Sequence, residues 1–229
     1  FILTQTILQS LTHGYGHCVA CINGFEGNCL NLKPGTNGGY QAEFMKYEPA
    51  NSGLVKIPGK PGDYTDDQLA SLQTLSDVMA TGYHAALNAE VKKGDTVAVI
   101  GDGAVGLAGV IGAKLLGAEK IILLSHHDDR AQLGKEFGAT DIVSSRDDQA
   151  VKDVLALTKE NAGADAFLEC VGAESAIEQA GQIARPGAVI GRVGVPHAEP
   201  KSNQLFWKNV GLRGGIASVT KPDKEVLLQ

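Results

Sequence analysis

The run Thr96-Val97-Ala98-Val99-Ile100-Gly101-Asp102-Gly103-Ala104-Val105-Gly106 decides the fold. Five residues suited to a buried strand lead directly into G-x-G-x-x-G, and an apolar helical stretch over 105–117 follows at once. Glycine makes up 29 of the 229 residues, so three spaced glycines alone decide little. The order strand, turn, helix is what gives the motif meaning. Gly101 allows the tight turn, Gly103 lets backbone approach a pyrophosphate, and Gly106 lets the helix pack against the strand. With Ala104 and Val105 in the first helical turn, free N–H groups and the helix dipole face the phosphates.

The same rhythm continues on both sides of that run. Short β-branched stretches at 96–100, 120–124, 141–144, 164–169, 188–193 and 210–216 alternate with helical ones at 104–116, 128–137, 149–161 and 174–184. Gly-Ala pairs at 117–118, 138–139, 163–164 and 187–188 supply a left-handed residue where a helix gives way to a strand. Repeated β-α-β units predict an α/β fold: a doubly wound parallel sheet of about six strands, covered on both faces. The ends of the fourth and fifth strands, Cys170-Val171 and Gly194-Val195, fall where parallel strands line a cofactor crevice. Cys170 itself reads as a small buried hydrophobe.

The end of the second strand chooses the dinucleotide. An NAD enzyme carries Asp or Glu about 20 residues past the loop, bonding the ribose hydroxyl. Here that position is Ser125, followed by His126, His127, Asp128, Asp129 and Arg130. A serine does not repel a 2′-phosphate, and His126, His127 and Arg130 offer to pair with it. NADP is favoured and NAD is the alternative, because both histidines can equally be solvated loop residues and Asp128 or Asp129 can take the ribose role.

Residues 1–65 have a different texture, rich in Gly, Asn and Pro, with one clear alternating strand over 39–46. A helix starting near Asp66 and Asp67 follows, with Leu69, Leu72 and Leu75 on one side. Cys18-x2-Cys21-x7-Cys29 is a partial thiolate set for a structural zinc, and three reduced cysteines without metal is the other reading. So few cysteines in a chain of this length read as a reducing, cytoplasmic setting rather than a secreted disulfide scaffold. Twenty basic against 26 acidic side chains give a net charge of -6, which argues against nucleic-acid binding. No apolar run is long enough to span a membrane. The first residues carry no signal-peptide pattern, the chain starts at Phe1, and 223–229 reads as an interrupted helix, so both ends read as those of a fragment.

From about Thr12 onward these features together resemble the medium-chain, zinc-dependent alcohol dehydrogenases. The resemblance rests on the cysteine lobe, on Gly38-Gly39-Tyr40-Gln41-Ala42-Glu43, on Thr81-Gly82-Tyr83-His84-Ala85-Ala86, and on the glycine loop, in that order. It implies a partial GroES-like catalytic domain over 1–75 with a structural-zinc lobe, and an NAD(P)-binding Rossmann domain over 76–229. It implies hydride transfer between an alcohol, or an aldehyde or ketone, and NADP with zinc assistance. The implied partner is a small alcohol or carbonyl compound, and the implied assembly is a dimer or tetramer.

Family zinc lobes carry a fourth cysteine where this chain has Tyr15, so that either His13 or His17 completes the set or the metal is lost. A catalytic zinc would take Asp77 as one ligand, four residues before Thr81, and Thr81 would contact the nicotinamide side. The family's Cys and His-Glu zinc ligands would lie upstream of Phe1. His84 is expected in the core or an interface. The alternatives are a zinc-free quinone-reductase-like enzyme and an inactive cofactor-binding remnant.

Overall fold

The computed structural model describes residues 7–9, 14–32, 47, 48 and 50–228. The strand expected over 39–46, the Gly38–Glu43 motif and His13 lie outside them. The chain forms two compact units, residues 1–80 with 216–229, and residues 81–215. The sequence reading divides the chain at 75/76; by contacts the division falls at 80/81, and the tail from Ile216 belongs to the first unit.

In the first unit, β1 (Ile7–Gln9) pairs antiparallel with β2 (Leu54–Lys56), with Leu8 opposite Val55. Helix α1 (Val19–Ile22) holds Cys21, with Cys18 just before it and Cys29 beyond the next turn, and α2 (Ala50–Gly53) leads into β2. Helix α3 (Asp66–Gln73) starts where the sequence places it. Thr65 Oγ1 accepts from the Gln68 N–H at 3.2 Å while Gln68 Oε1 accepts from the Thr65 N–H at 2.9 Å. This capping box satisfies two end donors, and Asp66 and Asp67 complement the dipole. Helix α4 (Val78–Asn88) begins at the end of this unit, and from Thr81 on it belongs to the second.

The second unit alternates as the sequence predicts. Strand β3 (Thr96–Ile100) is followed by α5 (Ala104–Leu115), β4 (Lys120–Leu124), α6 (Asp128–Phe137), β5 (Asp141–Val143) and α7 (Asp147–Ala156). Then come β6 (Ala164–Glu169), α8 (Glu174–Ile183), β7 (Ala184–Arg192), α9 (Ser202–Lys208) and β8 (Gly211–Gly214). The six strands form one sheet in the order β5-β4-β3-β6-β7-β8, every neighbour parallel. This is the doubly wound Rossmann arrangement, with its switch point at β3. The last helix, α10 (Lys221–Leu227), returns to the first unit, where Lys224 Nζ donates to the Gly53 carbonyl at 3.1 Å.

Period-two alternation sends the sheet's side chains to two cores. Ala98, Ile122, Leu124 and Phe167 meet Val154, Ile177 and Ile183 on one face. Val97, Val99, Ile121, Leu123 and Leu168 meet Ala85, Ala86, Leu107 and Val110 on the other. Burial on both faces is why these strands read as continuous apolar runs.

The departures from expectation are local. Helix α7 stops at Ala156, and a separate 3-10 turn, Lys159–Asn161, carries Glu160 at a φ of 58°. Strand β7 starts at Ala184, directly after α8, so Gly187 lies inside the strand rather than after the helix. The chain bulges there: Ala164 pairs with Ala184 and Ala166 with Val189. Helix α9 has no counterpart in the sequence reading; it exposes Phe206 and Trp207 in an edge-to-face contact at 5.2 Å. His84 is buried, as expected of a core histidine.

Candidate functional site

The glycine turn joins the carboxyl end of β3 to α5. Gly101 has a φ of +110°, a left-handed conformation that side chains resist. A Cβ on Gly106 would overlap the Gly101 carbonyl oxygen, so this glycine is what allows α5 to start so close to the strand. Gly103 is different. It N-caps α5 with ordinary dihedrals, and nothing lies within 4 Å of where its Cβ would be. Its outer side is open, and the first-turn N–H groups of Ala104 and Val105 have no intrahelical acceptors. Behind the turn, Gly82 of α4 touches the backbone of Ala108 and Gly109 in α5, a contact that leaves no room for a side chain.

The strand ends beside the turn are tied together by backbone. Cys170 N–H donates to Ile100 O at 3.1 Å, and the Val193 and Gly194 N–H groups donate to Glu169 O at 2.9 and 3.1 Å. Glu169, fully buried, accepts from the Val171 and Gly172 N–H groups at 2.8 and 2.6 Å through Oε1, and from Arg192 Nε at 2.9 Å through Oε2. Arg192 also donates to the Ala198 carbonyl at 3.2 Å. A buried ion pair with its remaining atoms hydrogen-bonded fixes the loop carrying Val171. Burial pushes the Cys170 thiol above its ordinary range, and the Glu169 carboxylate adds to this, so the thiol stays neutral.

Between the ends of β3, β4 and β6 lies a cavity of about 300 Å3, lined among others by Gly101, Asp102, Leu124, His126, Arg146 and Val171. Gly194 and Val195 are not in its lining; they cross over Gly172, and Val195 is exposed. A larger cleft of about 750 Å3 sits at the opposite edge, beside Thr96, Lys120 and Asp165. Open parallel sheets bind ligands outside the carboxyl ends of their strands, so the smaller cavity is the candidate site.

The second-strand residues converge on one group absent from the sequence expectation, Asp102. Ser125 Oγ donates to Asp102 Oδ2 at 2.8 Å, His127 Nδ1 lies 2.8 Å from the same oxygen, and Arg130 donates to Oδ1 at 3.2 Å. The His126 N–H reaches Oδ2 at 3.3 Å, but the His126 ring turns away to the Ser144 carbonyl, with Nδ1 at 2.9 Å. A carbonyl only accepts, so Nδ1 carries the proton there. Burial raises the Asp102 carboxyl, yet the hydrogen bonds from His127, Ser125 and Arg130 outweigh it and hold the group well below the usual carboxylate range. Asp128 and Asp129 stand in the first turn of α6, exposed. Glu169 and Arg192 were also missed, although a charged residue closing an apolar strand signals a buried pair.

In the first unit, the sulfurs of Cys18, Cys21 and Cys29 lie within 4.8 Å of one another. Cys18 Sγ is 3.5 Å from that of Cys21 and 3.9 Å from that of Cys29. Tetrahedral zinc with bonds of about 2.3 Å needs sulfurs about 3.8 Å apart, so the spacing fits the metal. Gly14 forms the floor: a Cβ there would come within 2.8 Å of Cys21 Sγ and 2.9 Å of Cys29 Cβ. Backbone N–H groups around Cys21 and Leu30 lower the Cys18 thiol to about 6, whereas burial raises Cys21 to about 11. Among the described residues no histidine or carboxylate joins the three, and Tyr15 and His17 are exposed. Asp77 is exposed between α3 and α4 and belongs to no group of three or more ligating side chains among the described residues; Thr81 lies in α4, half-buried.

A glycine turn and an open crevice on a doubly wound parallel sheet define an α/β protein of the Rossmann type. The zinc-binding dehydrogenase family profile matches residues 104–224. The chain is 34% identical over 157 residues to an alcohol dehydrogenase of Cupriavidus necator, an alignment covering 69% of this chain and 41% of the relative. It is 33% identical over 163 residues to an NADP-dependent isopropanol dehydrogenase of Clostridium beijerinckii, covering 71% and 43%. The fold superposes on zinc-dependent alcohol dehydrogenase 2 from Streptococcus pneumonia with a TM-score of 0.84 at 28% identity, over 100% of this chain and 64% of that one. These alignments take in about two-fifths of the length of the two curated relatives. The chain belongs to the zinc-dependent medium-chain alcohol dehydrogenase family. Among the described residues no helix is long and apolar enough to cross a membrane.

Proposed function

We propose that this chain supplies the NADP-binding part and the cysteine lobe of an oxidoreductase that moves a hydride between a small alcohol, or its carbonyl counterpart, and NADP. The observation that carries the reading is Ser125. It closes β4 without a carboxylate of its own, beside His127 and Arg130, next to a glycine turn whose outer side is open. Bound NADP supplies the hydride carrier. The chain's own residues do the holding. Ala104 and Val105 N–H groups face the pyrophosphate, Gly103 allows its close approach, and Val171 walls the crevice. Cys170, Gly194 and Val195 belong to the strand-end loops that frame it.

Cys18, Cys21 and Cys29 hold a structural zinc in this reading. Asp77 as a catalytic zinc ligand and Thr81 as a nicotinamide contact come from the family resemblance. No ligand set of three or more among the described residues includes Asp77. The four free cysteines suit a reducing cytoplasm, and we place the protein there as a homo-oligomer. Fluorescence titration with NADPH and NADH tests the reading. Tighter NADPH binding supports it, tighter NADH binding overturns the cofactor choice, and no binding of either overturns the dinucleotide site.

A further inference from the structure

The donors that would read a 2′-phosphate are already engaged. Ser125 Oγ, the His127 ring and the Arg130 guanidinium all bond one carboxylate, and the His126 N–H joins them. That carboxylate comes from the glycine turn, between Gly101 and Gly103, and its side chain is only 13% exposed. Parallel register explains the meeting: Ile100 pairs with Leu124, so the residues just past each strand end lie side by side. We propose that Asp102 is a specificity-determining residue that stands in for the cofactor's 2′-phosphate, competing for its donors, and that it offers a ribose hydroxyl the acceptor which the end of β4 lacks. The proposal rests on the dinucleotide reading above.

Two consequences follow from charge and hydrogen-bond counting. An incoming 2′-phosphate must take Ser125, His127 and Arg130 from Asp102 and then lie beside a second, largely buried anion. A 2′-hydroxyl needs neither; it donates to the carboxylate and leaves the guanidinium neutralised. Arg146, lining the same cavity, and Arg130 oppose this effect, while Asp128 and Asp129 point their charge from the exposed start of α6. Asp102 therefore narrows the margin by which the site favours NADP over NAD.

The test uses the full chain and the substitution Asp102→Asn, titrated with adenosine 2′,5′-bisphosphate and with 5′-AMP. Removing the competing charge is expected to tighten the bisphosphate about tenfold, with 5′-AMP unchanged or weaker. Equal shifts for both ligands would overturn the proposal. Binding of neither by the unsubstituted protein would overturn the dinucleotide reading itself. Should the variant fail to fold, histidine NMR of the unsubstituted protein decides. The His127 ring signals are expected to move with the bisphosphate and to hold still with 5′-AMP. A bound bisphosphate that leaves His127 unmoved would overturn the proposal.

Discussion

Asp102 keeps its charge because three side chains donate to it, and acid is what removes that charge. Its carboxyl sits below the ordinary value in the folded chain, so its contribution to stability is fully present above the unfolded value, about 3.9. The contribution is lost as pH falls through and below that value. Thermal unfolding followed from pH 6 downward should therefore show a fall in Tm below about pH 4 that is shallower in Asp102→Asn. A second residue-scale outcome concerns Ser125. Ser125→Asp places a new carboxylate against Asp102 and is expected to weaken NADPH about tenfold relative to NADH, measured by the same fluorescence titration. The loop glycines, Ser125, His127 and Arg130 were legible in the sequence because each sits at a fixed distance from a strand. Asp102 was not, although it lies within the motif. Its partners are set by the β3–β4 register, which is a tertiary fact. The turn of the His126 ring toward Ser144 depends likewise on where β5 ends.

At the scale of elements, the fold demands glycine at 106 and leaves position 103 open. Gly106 has no room for a Cβ against Gly101, so Gly106→Ala forces α5 off β3 and is expected to cost about 1–3 kcal/mol by thermal or denaturant unfolding. Gly103 has open space, so Gly103→Ala should leave the midpoint of unfolding nearly unchanged yet weaken NADPH binding. If the stability effects came out reversed, the assignment of the two glycines would be wrong. The Glu169–Arg192 pair joins β6 to β7 at the crevice. Glu169→Ala leaves a buried guanidinium without its partner and is expected to destabilise by about 3–5 kcal/mol in urea unfolding. The central strands β3, β4 and β6 were readable because they are buried on both faces, and the outer ones, down to the largely exposed β8, because turns bound them. Helix α9 was not, since Ser202–Lys208 has no buried residue and so no apolar period. The early start of β7 was hidden by Pro186 and Gly187, which read as a turn but lie in a bulge.

At the scale of the whole molecule the two units should answer to different ligands. Metal analysis is expected to find zinc bound through Cys18, Cys21 and Cys29. Stripping it with a chelator should lower the stability of the first unit while the affinity for NADPH stays within about twofold, since chelation acts on folding where the metal ligates. A chain that carries no zinc as purified from zinc-replete cells, and that chelator leaves unchanged, would remove the metal from that lobe. The sequence placed the cysteines but not the spacing of their sulfurs, which Gly14 and the turn after α1 determine.

Strand β3 lies between β4 and β6, so the turn at Gly101 borrows its support from chain made much later. Ile100 O is held by Cys170, and the Thr96 N–H by Asp165 Oδ2 at 2.8 Å. On a ribosome, the motif at 101–106 emerges long before those partners exist. Nascent chains halted ahead of β6 should expose an incomplete sheet edge to chaperones and retain no nucleotide on an affinity resin, and capture should begin only once β6 has cleared the exit tunnel.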